Sequence, residues 1–236
     1  MKFAITMLAA MWLVLMAASW AEGAQAVANE EYSFNWLDPD KKIYVLQNRK
    51  YLKAKRLLLS AMAGVGSSNP YRTTYTVQPR VAFYLSEMFG IEMFYAGMLN
   101  RENATFRALT VAAPNTLPVV REIRAEYGGL IHYVPWYAKI NVFNKILYFD
   151  WYFSGGGGIV QSSLDTRKSA SLAATYTDKN LSGVFFGTGH QYHLSHNLTV
   201  RLDMTGTAYR APLSGDSGAE TWFSTYLFGL GLGLRL

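Results

Sequence analysis

Apolar and polar residues alternate with a period of two over most of the chain from residue 55 onward. That is the period of β-strands whose two faces meet different surroundings. In residues 222–236, Trp222, Tyr226, Phe228, Leu230, Leu232, Leu234 and Leu236 share one face. Thr225, Gly229, Gly231, Gly233 and Arg235 share the other, with Phe223 and Leu227 as exceptions. Residues 197–210 alternate more clearly still: Leu198, Val200, Leu202, Met204 and Ala208 oppose Thr199, Arg201, Asp203, Thr205 and Thr207. Six further stretches show the same period, at residues 55–66, 72–86, 88–100, 122–138, 145–154 and 181–194. Pro79 lies inside the second and cannot donate a ladder hydrogen bond, which predicts a bulge there.

The connections carry a pattern of their own. Residues 101–121, with Pro114 and Pro118, predict a long loop with a helical turn near 105–111. Residues 161–179 are rich in Ser and Thr and predict a second long loop; residues 212–219 predict a third. The glycines at 155–158 continue or bend the fifth strand, and they lack the lysine and helix of a phosphate loop. Connections after strands two, four and six are short and those after three, five and seven are long, the short first hairpin being the exception. Outer-membrane barrels have short periplasmic turns and longer external loops. The predicted fold is therefore all-β, an eight-stranded antiparallel transmembrane β-barrel with up-and-down meander topology.

Composition agrees. The chain has 236 residues, 50% hydrophobic and 15% aromatic, yet its mean hydropathy is near zero. Helical membrane proteins carry long apolar runs, whereas barrels hide apolar residues in alternation. Lys2 followed by an apolar run over residues 3–18 and then small residues has the layout of a secretory signal peptide. Ser19-Trp20-Ala21 and Ala24-Gln25-Ala26 both place small residues at the positions a signal peptidase reads, and cleavage after Ala21 is the preferred expectation. The expected organisation is a signal peptide at 1–21, a periplasmic lead-in at 22–53 and the barrel at 54–236. The chain has no cysteine and so no disulfide. A net charge of +6 with scattered lysines and arginines does not point to nucleic acid. The cluster of Lys50, Lys53, Lys55 and Arg56 fits a solvated or headgroup-facing patch.

The inward faces are expected to hold Arg80, Glu92, Arg124, Glu126, His132, Asp150, Arg201 and Asp203, with Gln78 and Gln191. An eight-stranded barrel has an interior just wide enough for side chains to fill it, and charges there need partners. The expected role of this set is a salt-bridged core; the alternative is a narrow polar path or a ligand site. His190, His193 and His196 are spaced by three, but on a strand His190 and His193 point to opposite faces, which disfavours a metal site. His193 and Ser195 lie two apart, as in some lipid-deacylating barrels, without an acid nearby in sequence. No catalytic residue and no cofactor is expected. Gly231, Leu234 and Leu236 match the C-terminal signal read by the barrel-assembly machinery, except that such signals usually end in Phe.

Ile43-Tyr44-Val45-Leu46-Gln47-Asn48-Arg49, Asn69-Pro70-Tyr71, Trp136-Tyr137-Ala138-Lys139-Ile140-Asn141 and Tyr148-Phe149-Asp150 resemble the small outer-membrane β-barrel family of gliding and predatory delta-class proteobacteria. The resemblance covers most of the mature chain and implies the outer membrane of a Gram-negative bacterium. Some relatives are implied in envelope-spanning machinery, and the resemblance supplies no catalytic residues. The expected function is structural: a barrel in the lipid bilayer that anchors or scaffolds periplasmic envelope-complex proteins. The alternatives are a small pore or ligand-binding barrel, then a lipid-modifying enzyme, then a soluble lipocalin-like barrel with its faces reversed.

Overall fold

A computed structural model describes residues 49–67, 69–115, 118, 120–165, 172–173, 176–212 and 220–236. The signal peptide and most of the lead-in expected from the sequence lie outside the described residues. Eight strands follow in chain order: β1 (Arg56–Ser67), β2 (Arg72–Tyr84), β3 (Phe89–Glu102), β4 (Val120–Val142), β5 (Lys145–Asp165), β6 (Tyr176–His193), β7 (Leu198–Pro212) and β8 (Glu220–Arg235). Each pairs with its sequence neighbour, and β8 pairs antiparallel with β1, so the sheet closes into a barrel. One helix, α1 (Ala104–Ala112), stands between β3 and β4.

The period of two places the side chains. Along β2 the burial alternates without a break from Arg72 to Tyr84. The outward residues form an exposed apolar belt that includes Val77, Val81, Ile91, Met93, Ile131, Phe153, Val184, Leu202, Phe228, Leu230 and Leu232. Such a belt is costly in water and is accommodated by lipid, while closure pairs each strand of the wall with a neighbour on both sides. The barrel thus spans a membrane with its polar residues inside. A soluble barrel with an apolar interior and a polar exterior would reverse these faces.

The short connections at 85–88, 143–144 and 194–197 define a turn end, where β1 also begins and β8 finishes. The connections between β1 and β2, β3 and β4, β5 and β6, and β7 and β8 define the loop end. Inside the loop half, an apolar cluster forms around Phe94, Met98, Ile123, Leu130, Val160, Phe185 and Leu227. The glycines of β4 and β5 make room for it. A Cβ at Gly128 or Gly158 would press on the Phe185 ring and on the facing strand's backbone.

Three expectations are corrected. Pro79 makes no bulge: β1 pairs straight through it, and the β2–β3 register is the same at Val77 with Gly97 and at Arg80 with Phe94. The irregularities lie instead in β4, between Ile123 and Ala125 and between Tyr133 and Trp136, where Pro135 stands. The loop expected at 161–179 is shorter, because β5 runs on to Asp165 and β6 starts at Tyr176, with Leu164 opposite Thr177. Serine and threonine are at home on a two-sided strand, so composition alone misled here. The helical turn expected at 105–111 is a full helix, capped by the Asn103 side chain, which accepts from the Phe106 amide at 2.9 Å.

β4 and β5 are the longest strands, at 23 and 21 residues. β3 pairs with β4 only from Ala125 to Tyr133, and Val134 adds one bond from its amide to the Met88 carbonyl at 2.8 Å. β6 joins β5 only from Tyr148 onward. Residues 139–146 are exposed on both faces, so a two-stranded hairpin stands clear of the turn end. Its length from Trp136 to Val142 is about 20 Å at the usual rise of a strand. The tip is Phe143-Asn144, with φ of 48° and 60°. Two residues in the left-handed region make a type I′ turn, the two-residue connection that matches strand twist.

Candidate functional site: the barrel interior

The interior is built in three tiers. In the middle tier, Arg201 of β7 donates through Nη1 to Glu92 Oε2 at 2.6 Å and to Ser60 Oγ at 3.1 Å. Its Nη2 reaches Asp203 Oδ2 at 2.9 Å and the Tyr152 hydroxyl at 2.8 Å. Arg80 of β2 binds Glu92 Oε1 at 2.8 Å and lies 3.3 Å from Asp203 Oδ2. Gln78 accepts from Arg80, Tyr152 donates to Asp203, and His132 Nε2 sits 3.5 Å from Glu92 Oε1. Two guanidinium groups and two carboxylates thus neutralise one another, and side chains from β1, β2, β3, β4, β5 and β7 meet at one level. Arg201 and Glu92 are buried. Charge-assisted, multiply bonded pairs of this kind are the strong ones.

The turn-end tier lies at one mouth. Lys53 precedes β1 yet is 1% exposed, with its Nζ 2.8 Å from Asp150 Oδ2. His193 Nε2 lies 3.0 Å from the same oxygen, and Arg235 donates to His193 Nδ1 at 2.6 Å. That donation makes Nδ1 the acceptor, so Nε2 carries the hydrogen toward Asp150. Burial pushes the Lys53 ammonium below its ordinary value, against the pull of Asp150. Glu87 fastens the segment from outside by accepting from the amides of Lys53 and Ala54 at 3.0 and 2.9 Å. Tyr51 stacks on His193, with centroids 5.2 Å apart.

The loop-end tier centres on Arg72, which pairs with Glu122 and lies 3.4 Å from Glu102 Oε1 and 3.7 Å from Asp165 Oδ2. Its guanidinium sits 4.5 Å from the Phe106 ring centroid, so α1 packs onto this mouth through its buried phenylalanine. Between this tier and the middle one, Glu126 is fully buried. It accepts from Thr207 Oγ1 at 2.9 Å, and its Cα partners are Ala96 and Val160 of the apolar cluster.

Of the eight residues expected inside, the structure brings Arg80, Glu92, His132, Arg201 and Asp203 together. Asp150 lies at the turn end and Glu126 nearer the loop end. Arg124 is the correction. Its side chain is 49% exposed and sits 3.6 Å from Asp178 Oδ2, because the irregularity between Ile123 and Ala125 shifts the alternation by one. The interior also holds Lys53, Arg72, Tyr84, Tyr152, His193 and Arg235. Arg235 and Tyr152 are found by continuing the inward parity of β8 and β5. Lys53 lies ahead of any strand and carries no periodic signal.

Both nitrogens of His193 are engaged, by Asp150 and Arg235, and Ser195 Oγ accepts from the Asn197 and Leu198 amides within its turn. The pair is not arranged as nucleophile and base. His190 faces outward against Trp151, with centroids 5.3 Å apart, so the histidines do not converge. Leu234 and Leu236 point into the outer belt, and Gly231 faces inward against Met62.

No family model matches the chain, and no curated protein does. Solved structures similar to it include the N-terminal β-barrel domain of OprF from Pseudomonas aeruginosa, at 11% identity and a TM-score of 0.42, covering 78% of this chain and 98% of that one. The attachment invasion locus protein Ail of Yersinia pestis aligns at 10% identity and a TM-score of 0.42, over 77% and 97%. A major outer membrane protein of Thermus thermophilus aligns at 13% and 0.43, over 77% and 98%.

Proposed function

We propose that the chain is a sealed outer-membrane barrel that anchors or scaffolds a cell-envelope complex, its turn end facing the periplasm. The observation that carries this reading is the interior itself. Three tiers of charged side chains line the lumen from one mouth to the other, with an apolar cluster in the loop half, and their guanidinium and carboxylate groups are largely committed to one another. The same reading includes a signal peptide at 1–21, a periplasmic lead-in at 22–53, and recognition of Gly231, Leu234 and Leu236 by the barrel-assembly machinery. It also takes in kinship with the envelope-barrel family of gliding and predatory delta-class proteobacteria.

Two measurements test it together. The purified full chain in a planar lipid bilayer gives no steady conductance if the lumen is sealed; stable unitary currents would favour the pore reading. Crosslinked co-purification from native outer membranes recovers defined periplasmic or inner-membrane proteins if the barrel is a scaffold. Recovery of the barrel alone would count against that role.

A further inference from the structure

The hairpin at the turn end extends past the barrel wall, and among the described residues one side of it has no partner strand. In a two-residue hairpin the residues flanking the turn exchange both backbone hydrogen bonds, and the pattern alternates from there. Val142 pairs with Lys145. The N–H and C=O groups of Val142, Ile140 and Ala138 therefore point toward β5, and those of Asn141, Lys139 and Tyr137 point away from it. Among the described residues, no backbone bond meets that outer side of β4 beyond Val134. Ile140 and Val142 of β4, Phe143 of the turn and Ile146 of β5 are exposed on this hairpin, Phe143 at 98%.

An open, apolar strand edge invites another strand. We infer that the edge of β4 over residues 137–141 is a docking strand for an extended acidic segment of a periplasmic partner, which adds to the sheet beside Tyr137, Lys139 and Asn141. Charge selects this occupant. Among the described residues, the exposed charges at the turn end are Lys50, Lys55, Arg56, Lys139 and Lys145, while Glu87 is engaged by Arg49 and by the Lys53 and Ala54 amides, and Asp150 is buried. A second copy pairing edge to edge about Lys139 would set like charges opposite one another, which is unfavourable. A strand with Glu or Asp opposite Lys139, and β-branched residues opposite Ile140 and Val142, meets both faces. The fitting sequence alternates acidic and apolar residues. This inference rests on the scaffold reading and names where its partner would hold on.

The test uses the full chain in lipid nanodiscs and a fluorescein-labelled peptide, Thr-Val-Glu-Val-Glu-Val-Thr. Binding is followed by fluorescence anisotropy and by amide hydrogen exchange resolved by NMR. The expected result is saturable binding that slows exchange at Tyr137, Lys139 and Asn141 at least tenfold and leaves Ala138, Ile140 and Val142 unchanged. The same peptide with Lys for Glu binds at least tenfold more weakly, and Lys139→Glu reverses that preference while β7 amides keep their protection. Slow exchange at 137, 139 and 141 before any peptide is added would overturn the inference, since the chain itself or a second copy would then hold the edge. Binding that ignores peptide charge would overturn it too, as would a response to anionic phospholipid vesicles with none to the peptide. If no peptide protects the edge while native co-purification still recovers partners, this inference fails alone. If the barrel conducts and recovers none, the scaffold reading fails with it.

Discussion

Arg201 meets four oxygen-bearing partners at once, on Ser60, Glu92, Tyr152 and Asp203. Arg201→Met keeps the volume and removes the charge, leaving Glu92 and Asp203 to share Arg80. Breaking a buried ion network from one side costs about 3–5 kcal/mol, and urea unfolding of the barrel in detergent should show a loss of that order. Replacing Asp203 by Leu in the same chain should return part of it, because one uncompensated carboxylate goes with it. Gly64 makes a different demand. A Cβ there would collide with the Phe228 carbonyl across the β1–β8 seam, so Gly64→Val should lower the yield of folded barrel far more than Ala63→Val on the lipid side of the same strand. The fraction of barrel that resists protease after refolding into detergent measures both. At this scale the sequence was legible wherever parity held. It failed at Arg124, where one extra residue in β4 turned an inward charge outward, and at Lys53, which reaches Asp150 from outside any strand.

The elements were legible for the same physical reason: outward apolar and inward polar residues leave a period of two that survives in all eight strands. Their ends were not. A strand that leaves the lipid loses its apolar face, so the upper parts of β5 and β6 read as loop. The glycines at 155–158 had the opposite effect, since small residues weaken the alternation while the strand runs through them to make space for Phe185. The tip of the long hairpin holds a further local conflict. Phe143 has φ of 48°, a conformation a bulky side chain enters at a cost of order 1–3 kcal/mol. Changing Phe143 to Asn and Asn144 to Gly supplies the residues a type I′ turn prefers. Amide exchange at Val142 and Lys145 should then slow by about tenfold, a gain of about 1.4 kcal/mol in local opening, while exchange in β7 and β8 stays as it was. Faster exchange at the tip would show that the aromatic ring itself holds the turn.

For the molecule as a whole, the sealed-barrel reading places the seal in the middle tier rather than at either mouth. Trimming Lys53 to Ala opens only the turn-end tier, so the bilayer should remain silent. Replacing Arg80 and Arg201 together with Ala removes the bulk that meets Glu92 and Asp203, and small-cation currents should appear if the chain still closes. A silent double variant of proven fold would place the seal in the apolar cluster around Phe185 instead. The overall architecture could be read from the sequence because loop length and strand parity are global signals. The interior partners could not, because β1 and β7 meet across the lumen only after closure.

That separation bears on how the molecule forms. The β4–β5 hairpin joins 20 residue pairs around a two-residue turn, while the β1–β8 seam must bring together residues as far apart as Leu58 and Arg235. Local pairing is fast and distant closure is slow, so the hairpin is the place for nucleation and the seam for the last step. Until the seam zips, Arg201 has no Ser60 to meet and Glu92 faces an open wall, so the carboxylates and guanidiniums must keep their hydration. Drying of the lumen and completion of the ring are then one event, and a chain unable to assemble its ionic core would stall as a wet, open sheet at the bilayer surface.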